Sequence, residues 1–541
     1  MPFGILESNG KLEHVPGTAL LEETGLDETS QLKKGTGNDA NVVLIPQPSN
    51  DPNDPLNWPL WQRDLLLLLY CFCTLCCVGG VGPLLSVMAF PLIEEFNINF
   101  TQVSLLTGYN LCAVGAVGVF VSALARKFGK RPSMLGSMAL AFAGTIWAGA
   151  AQSYGSLVGA RVIQGFGIAM FESVTFAIIG DLYHVHQRGT RMAVYIVSQS
   201  GVAHLPSLVA GKISVDLGWR WVFWLLSIFL GLGMLLTIFF GWESAFSRNE
   251  LYNIDTSSQN NIEIIENLKA GSTHHEKAEE KAIGASAAEI VGTRDSFVKR
   301  MRPYSGTYSD DSIIRMILRP FFVLINPVVT WAIFVIAFSQ LWIVCISFMI
   351  AQLFGQPPYS LGTAEIGYIS AGPMIGGLVG CILCGLVSDP LARWFSRHNN
   401  GIYEPEFRLI LIIAVPIFCA PGYFLFGKLA AEGRSPVIMA TLWGITFVSV
   451  QIAAVATGSY LVDAFRNISV EVFIISMCFK NFLFFGFSFF LNDWLASWGP
   501  VKTFNTIGGI MLAICATTIP VYIYGKRLRA WWHSHSVFSK I

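Results

Sequence analysis

The chain has 541 residues, of which 53% are hydrophobic and 13% charged, and 35 Lys and Arg balance 35 Asp and Glu. Soluble domains carry roughly twice that share of charge, so a soluble globule, a disordered chain and a nucleic-acid binder driven by bulk positive charge are excluded. A mean hydropathy of +0.55, with apolar runs of about twenty residues recurring, leaves a polytopic membrane protein.

Residues 1–62 are polar, acidic early and rich in Pro and Asn between Pro46 and Pro59. They read as a tail, not a signal peptide, because no basic stretch precedes an apolar core. Apolar segments follow at 65–90, 103–125, 133–151, 157–180, 192–214 and 219–242, within an N-terminal bundle assigned to 63–242. Residues 243–326 form a linker, and 247–311 within it mixes charge with Ser, Asn and Gly. That composition predicts a largely disordered segment with short amphipathic helices. Segments at 327–354, 365–388, 408–428, 435–462, 471–492 and 503–524 make a C-terminal bundle over 327–524, and 525–541 is a second tail. The fold class is therefore all-α, with twelve transmembrane helices in two six-helix bundles. Segments this long and continuously apolar suit helices rather than a barrel.

The eleven cysteines fall inside apolar runs, which argues against a disulfide framework. Cys73 and Cys76, like Cys381 and Cys384, have zinc-ligand spacing, but no His or second pair converges on either. They read as packing residues, and no metal is expected.

Lys and Arg placement sets the orientation. Arg126, Lys127, Lys130 and Arg131 lie in the second-to-third loop, Arg188 and Arg191 in the fourth-to-fifth, and Arg393, Arg397 and Arg408 in the eighth-to-ninth. The opposite side holds few: Arg220, Lys428, Arg434 and Lys502. Both tails and the linker are thus expected in the cytosol. Asn99-Phe100-Thr101 falls outside as a glycosylation acceptor, while Asn467-Ile468-Ser469 faces the cytosol and stays bare.

Several separated stretches carry a resemblance. Asp54-Pro55-Leu56-Asn57-Trp58-Pro59 leads into the first helix, and Arg161-Val162-Ile163-Gln164-Gly165-Phe166-Gly167 opens the fourth. Gly180-Asp181-Leu182-Tyr183 and Arg188-Gly189-Thr190-Arg191 follow it, and Gly218-Trp219-Arg220-Trp221 enters the sixth. Asn400-Gly401, Glu404-Pro405-Glu406 and Arg408-Leu409 fill the eighth-to-ninth loop. In this order, on a six-plus-six plan, the chain resembles the major facilitator superfamily over roughly residues 50–530. It is most similar to the fungal twelve-span drug:proton antiporter branch.

Two departures from that pattern stand out. Ser122-Ala123-Leu124-Ala125-Arg126-Lys127-Phe128-Gly129-Lys130-Arg131 places Arg126 where the family has an acid, so an ion pair there is not expected to gate the N-half. Gly385-Leu386-Val387-Ser388-Asp389 keeps its carboxylate, so Asp389→Asn is expected to cost more transport than Arg126→Ala. In the fifth helix, Gly201-Val202-Ala203-His204-Leu205-Pro206 lacks the second Gly of the family's antiporter motif.

An ionisable residue inside a span costs about 2.5–3.5 kcal/mol on insertion scales, so it marks function or a partner. Four qualify: Arg161, Glu172, His204 and Lys480. Arg161 and Glu172 share one helix face, about 16 Å apart along the axis. The resemblance places the fourth helix beside a central cavity, where Glu172 takes a proton or pairs with a cation; the alternative is a buried structural ion pair. His204 either relays protons or bonds a neighbour. Lys480 binds an anionic group, pairs with Glu172, or snorkels. Asp181, Asp389 and Asp463 are gate candidates at inner helix ends, or simply solvated loop starts. Tyr109, Asn110, Gln340, Trp342, Tyr368, Tyr460 and Asn481 mix aromatic and polar groups at depth, as a substrate pocket or as packing.

No nucleophile–base pair, metal site or P-loop appears, so neither an enzyme nor ATP-driven transport is expected, and no cofactor. The expected function is proton-coupled secondary transport by alternating access, exporting drugs or secondary metabolites. Uptake of a cationic nutrient such as a polyamine, or a non-transporting sensor, are the alternatives. The expected partners are a small-molecule substrate, protons and membrane lipid; the protein is expected to be a monomer in the plasma membrane.

Overall fold

The computed structural model describes residues 2–6, 15, 18–20, 48–49, 51–82, 84–246, 294–399, 402–465 and 468–534. Asn400, Gly401, Asn467 and residues 247–293 of the linker lie outside the described residues. Among those described, twelve helices are long and apolar enough to cross a membrane. They are α1 Leu60–Gly79, α2 Phe100–Phe128, α3 Lys130–Ala150, α4 Tyr154–Leu182, α5 Arg191–Leu217 and α6 Trp219–Phe240. The second half supplies α7 Pro327–Gly355, α8 Thr363–Arg397, α9 Pro405–Ala431, α10 Pro436–Ala464, α11 Ser469–Ser488 and α12 Leu491–Trp532. The face carrying the α2–α3 turn and the linker is called the linker side below.

Local chemistry sets the helix starts. Asn99 caps α2 by accepting from the Gln102 N–H at 2.8 Å, Ser153 caps α4, and Asn326 caps α7 ahead of Pro327. Gly129 (φ 96°) and Gly218 (φ 91°) let α2 turn directly into α3 and α5 into α6. Close packing comes from the glycines of the Arg161–Gly167 stretch. A Cβ on Gly165 would strike the Asn110 carbonyl of α2, and one on Gly167 the Ala141 backbone of α3. Gly372 and Gly376 bring α8 equally close to Ala440 and Gly444 of α10, the close backbone approach that small residues allow.

The first span departs from its expected length of 65–90. A π-helical turn at Leu75–Gly79 ends α1, and short helices Leu84–Val87 and Ala89–Phe96 continue the chain. Gly79, Gly80 and Gly82 explain the break, because glycine is among the weakest helix formers. A matching π-helical turn interrupts α5 at Val197–Gly201. The two turns face each other, and a Cβ on Gly79 would lie 3.1 Å from the Ala203 backbone. Such turns recur at functional sites.

Among the described residues, the halves meet chiefly through α2 and α11, α5 and α8, and the short helices after α1. α2 packs on α11 over its length, with Gly108 against Ser488, Gly115 against Asn481 and Gly118 against Met477. α5 meets the start of α8 at Gly211 and Gly367. The short helices after α1 meet α7 and α8 on the face away from the linker.

Part of the linker is ordered against the first half. Arg131 donates to the carbonyls of Ile238 (2.7 Å), Thr237 (3.3 Å) and Gly241 at the end of α6, and to Met301 (2.9 Å) and Arg302 (3.0 Å) of the linker. Glu243 accepts from the N–H groups of Lys130 (2.9 Å), Arg131 (3.1 Å) and Ala245 (2.9 Å), so it caps α3. Burial raises its carboxyl above the ordinary value, and those N–H groups oppose the shift.

Candidate transport site

Glu172 lies where α4 loosens. Ser173 donates back to the Ala169 carbonyl at 2.6 Å, and the helix is interrupted at Val174. Lys480 of α11 reaches both Glu172 oxygens, at 3.2 and 3.3 Å, and Asn481 donates to Oε2 at 3.1 Å. The carboxylate of one half is thus held by a cation and an amide of the other. Glu172 is 5% exposed and Lys480 18%, so the ammonium end is the wetter one. Of the three sequence readings of Lys480, the geometry selects the pair with Glu172. Gly115 permits it, since a Cβ there would lie 3.3 Å from that of Asn481.

Arg161 shares the α4 face but not the pair. It is fully buried and donates to the carbonyls of Val81 (2.9 Å) and Leu106 (3.4 Å), to Gln164 Oε1 (3.0 Å) and to Thr107 Oγ1 (3.3 Å). Gln164 passes the network on to Thr145 of α3 at 2.9 Å. None of these partners is charged. Arg161 therefore ties the Val81 carbonyl at the α1 break to α2 and α4. Asn110, expected in a pocket, instead donates to the Arg161 carbonyl at 2.7 Å and joins α2 to α4.

His204 is buried edge-on against Trp443 (5.2 Å) and Phe447 (5.1 Å) of α10. Its Nε2 has no hydrogen-bond partner among the described residues. An interface contact fits this setting better than a relay. One turn nearer the linker side, Ser200 and Gln451 exchange hydrogen bonds of 2.8–3.1 Å. Sequence reasoning passed over Gln451, although an amide inside the apolar run Val448–Ile452 is a visible signal.

The other pocket candidates scatter. Trp342 is fully buried against Phe487 (5.3 Å), Gln340 is half-buried, and Tyr109 tilts on Phe485 (5.6 Å). Tyr460 is buried near Trp331 (6.2 Å). Tyr368 is 51% exposed at the start of α8, so it lines no enclosed pocket.

All three gate candidates pair within their own half. Asp181 contacts Lys130 of α3. Arg408 of α9 holds Asp389 at 3.1 Å and Asp463 at 2.5 Å, and Tyr403 donates to Asp463 at 2.5 Å. Nearby, Arg529 of α12 binds Glu406 (2.8 Å) and Glu404 (3.1 Å), and Lys526 meets Glu404 (2.7 Å).

Arg126 corrects a sequence expectation. It pairs with the buried Glu471 of α11 at 2.8 Å, so an ion pair does join the halves at this position, with cation and anion exchanged. Arg319 of the linker lies 3.6 Å from the same carboxylate. Glu471 was missed because the first turn of a span reads as a solvated edge. This geometry also changes what is expected of Asp389 and Arg126. Loss of Asp389 leaves Arg408 with Asp463, whereas Arg126→Glu sets two carboxylates together. We expect Arg126→Glu to cut transport about tenfold, a coupling within the usual 0.5–3 kcal/mol for neighbours. Asp389→Asn should cost less, and Arg126→Glu with Glu471→Arg should restore most activity; no restoration would mean the pair is incidental.

Comparison with known proteins adds relatives. The description "Major Facilitator Superfamily" matches residues 70–466. Protein HOL1 of Saccharomyces cerevisiae is 27% identical, with 97% of both chains covered. An uncharacterized MFS-type transporter of Schizosaccharomyces pombe is 25% identical, over 97% of this chain and 94% of its own. MFS antiporter QDR3 of Candida albicans is 22% identical over 93% of this chain and 82% of its own.

Proposed function

The chain belongs to the Major Facilitator Superfamily, and from that premise we propose that it is a proton-coupled carrier of small organic molecules working by alternating access. It is a multi-pass membrane transporter, not an enzyme. The observation that carries the proposal is the Glu172–Lys480–Asn481 contact, a titratable pair shared by the two halves. When the halves rock, that pair must part or re-form, and a bare buried carboxylate is too costly to leave uncompensated. A proton or a substrate amine then takes the place of Lys480.

Export of drugs or secondary metabolites is the favoured direction, on the resemblance to the drug:proton branch. Uptake of a cation such as a polyamine is the second reading, supported by Leu205 in place of the second antiporter-motif Gly. Lys480 offsets Glu172, which favours a neutral or mixed-charge substrate. The test is transport by the purified protein in proteoliposomes, screening compounds for counterflow at equal pH and for accumulation under a pH gradient. Counterflow with no response to the gradient would exclude proton coupling; no counterflow with any compound would favour a sensor.

The linker side is assigned to the cytosol, in the plasma membrane, from the Lys and Arg bias. Asn99 then faces outside, as does its sequon partner Thr101. Thr101→Ala destroys the acceptor and leaves the Asn99 cap intact, since only the Asn99 side chain accepts from Gln102. A glycosidase-sensitive mobility shift is expected in the wild type and absent in Thr101→Ala. A wild type without the shift would remove the glycan assignment.

A further inference from the structure

The linker ends in a helix, Ile313–Phe322, that leads through Val323–Ile325 into α7. It packs on α2 and on α11, close to Arg126 and Glu471 at their linker-side ends. Its outer face is apolar and uncovered: Ile314 is 69% exposed, Leu318 47% and Phe321 46%, and Ile325 continues the row at 52%. The row runs into the exposed apolar surface of α7, where Phe334 is 41% exposed. Such a stripe in water would be an aggregation liability; at the membrane boundary it is an anchor.

Along the same helix a shallow, open depression is lined by Ser312, Ile314, Arg315, Leu318 and Phe322. One end offers a guanidinium and a hydroxyl, and the remainder is hydrocarbon. Arg319 lies one turn beyond Arg315. The order of chemistry matches one phospholipid, with its phosphate at Arg315 and Ser312 and its acyl chain along Ile314, Leu318 and Phe322. We propose that Ile313–Phe322 is a membrane-surface helix that binds an anionic phospholipid. Anionic lipid is concentrated in the cytoplasmic leaflet, in keeping with the assigned orientation.

The test is backbone hydrogen exchange over 313–322 in the full-length protein, in nanodiscs of phosphatidylcholine alone or with phosphatidylserine added. Each arginine near an anionic surface gains about 1 kcal/mol, so exchange should slow roughly five-fold per arginine when phosphatidylserine is present. Arg315 is exposed, so Arg315→Gln should shrink that difference about five-fold without unfolding the protein. Leu318→Asn should speed exchange in both lipids. Equal wild-type exchange in the two nanodiscs would overturn the proposal, as would an undiminished lipid effect in Arg315→Gln. Inorganic phosphate added to phosphatidylcholine nanodiscs should have no effect; reproduction of the slowing would mean a simple anion site. No acceleration in Leu318→Asn would mean the apolar row lies outside the bilayer.

Discussion

Glu172→Gln is expected to abolish pH-driven accumulation while leaving substrate exchange at equal pH in place. The glutamine keeps the shape of the carboxylate and can still take the Asn481 amide, which now donates at 3.1 Å. Lys480 loses its anion, and breaking a well-buried pair from one side commonly costs about 3–5 kcal/mol. Here the ammonium end is 18% exposed and can turn to water, so the cost falls well below that range and the protein folds. What disappears is the titration. One proton moved down one pH unit is worth about 1.4 kcal/mol, or a tenfold concentration ratio. The wild type should approach that ratio and the variant none of it, measured in proteoliposomes with a compound found by counterflow. Full accumulation by Glu172→Gln would make the pair structural. Lys480→Gln is the sterner counterpart, because it strands a carboxylate that is only 5% exposed.

Arg161→Leu is expected to fail at an earlier stage, in folding. It removes one side chain and leaves three acceptors, those of Val81, Gln164 and Thr107, without this donor, while the Leu106 carbonyl keeps its place in the α2 helix. Each unsatisfied buried acceptor costs about 1–3 kcal/mol, so the sum rivals the stability of a whole domain. Arg161→Lys should rescue little, since an ammonium cannot fork between partners spread over α1, α2 and α4. Size-exclusion profiles and melting temperatures in detergent read the effect. A wild-type melting temperature for Arg161→Leu would show that water or rearrangement serves those carbonyls instead. The pair of variants separates two roles the sequence could not: Glu172→Gln loses coupling but folds, and Arg161→Leu does not fold.

Much of the fold was legible because a bilayer admits few solutions. Runs of about twenty apolar residues must be helices, and twelve of them in a six-plus-six arrangement follow from hydropathy alone. The polar residues inside spans were equally visible, and Glu172 with Lys480 could be named as potential partners. Which charge meets which depends on helix rotation and depth between segments hundreds of residues apart, and no periodicity carries that. Arg126 and Glu471 illustrate the loss: each sits at a span edge, where hydropathy treats charges as solvated. Asn110 and Tyr368 failed differently. A polar or aromatic side chain at membrane depth can face a neighbouring backbone or the outer surface as readily as a cavity, and only packing decides. The break in α1 was marked by its glycines, yet its role as an acceptor for Arg161 needed the fold.

The carboxylates of Glu404 and Glu406 have a consequence for how the protein is made. Both are fully buried, and Glu406 meets its arginine 123 residues later in the chain, at Arg529. A ribosome delivers the α8–α9 connection long before α12, so during synthesis these two acids must stay hydrated or protonated. The second bundle therefore cannot close its linker-side face until the last helix has been released and has docked. Arg529 is thus among the last parts the second bundle needs: a chain cut short before it would leave Glu404 and Glu406 without their arginine.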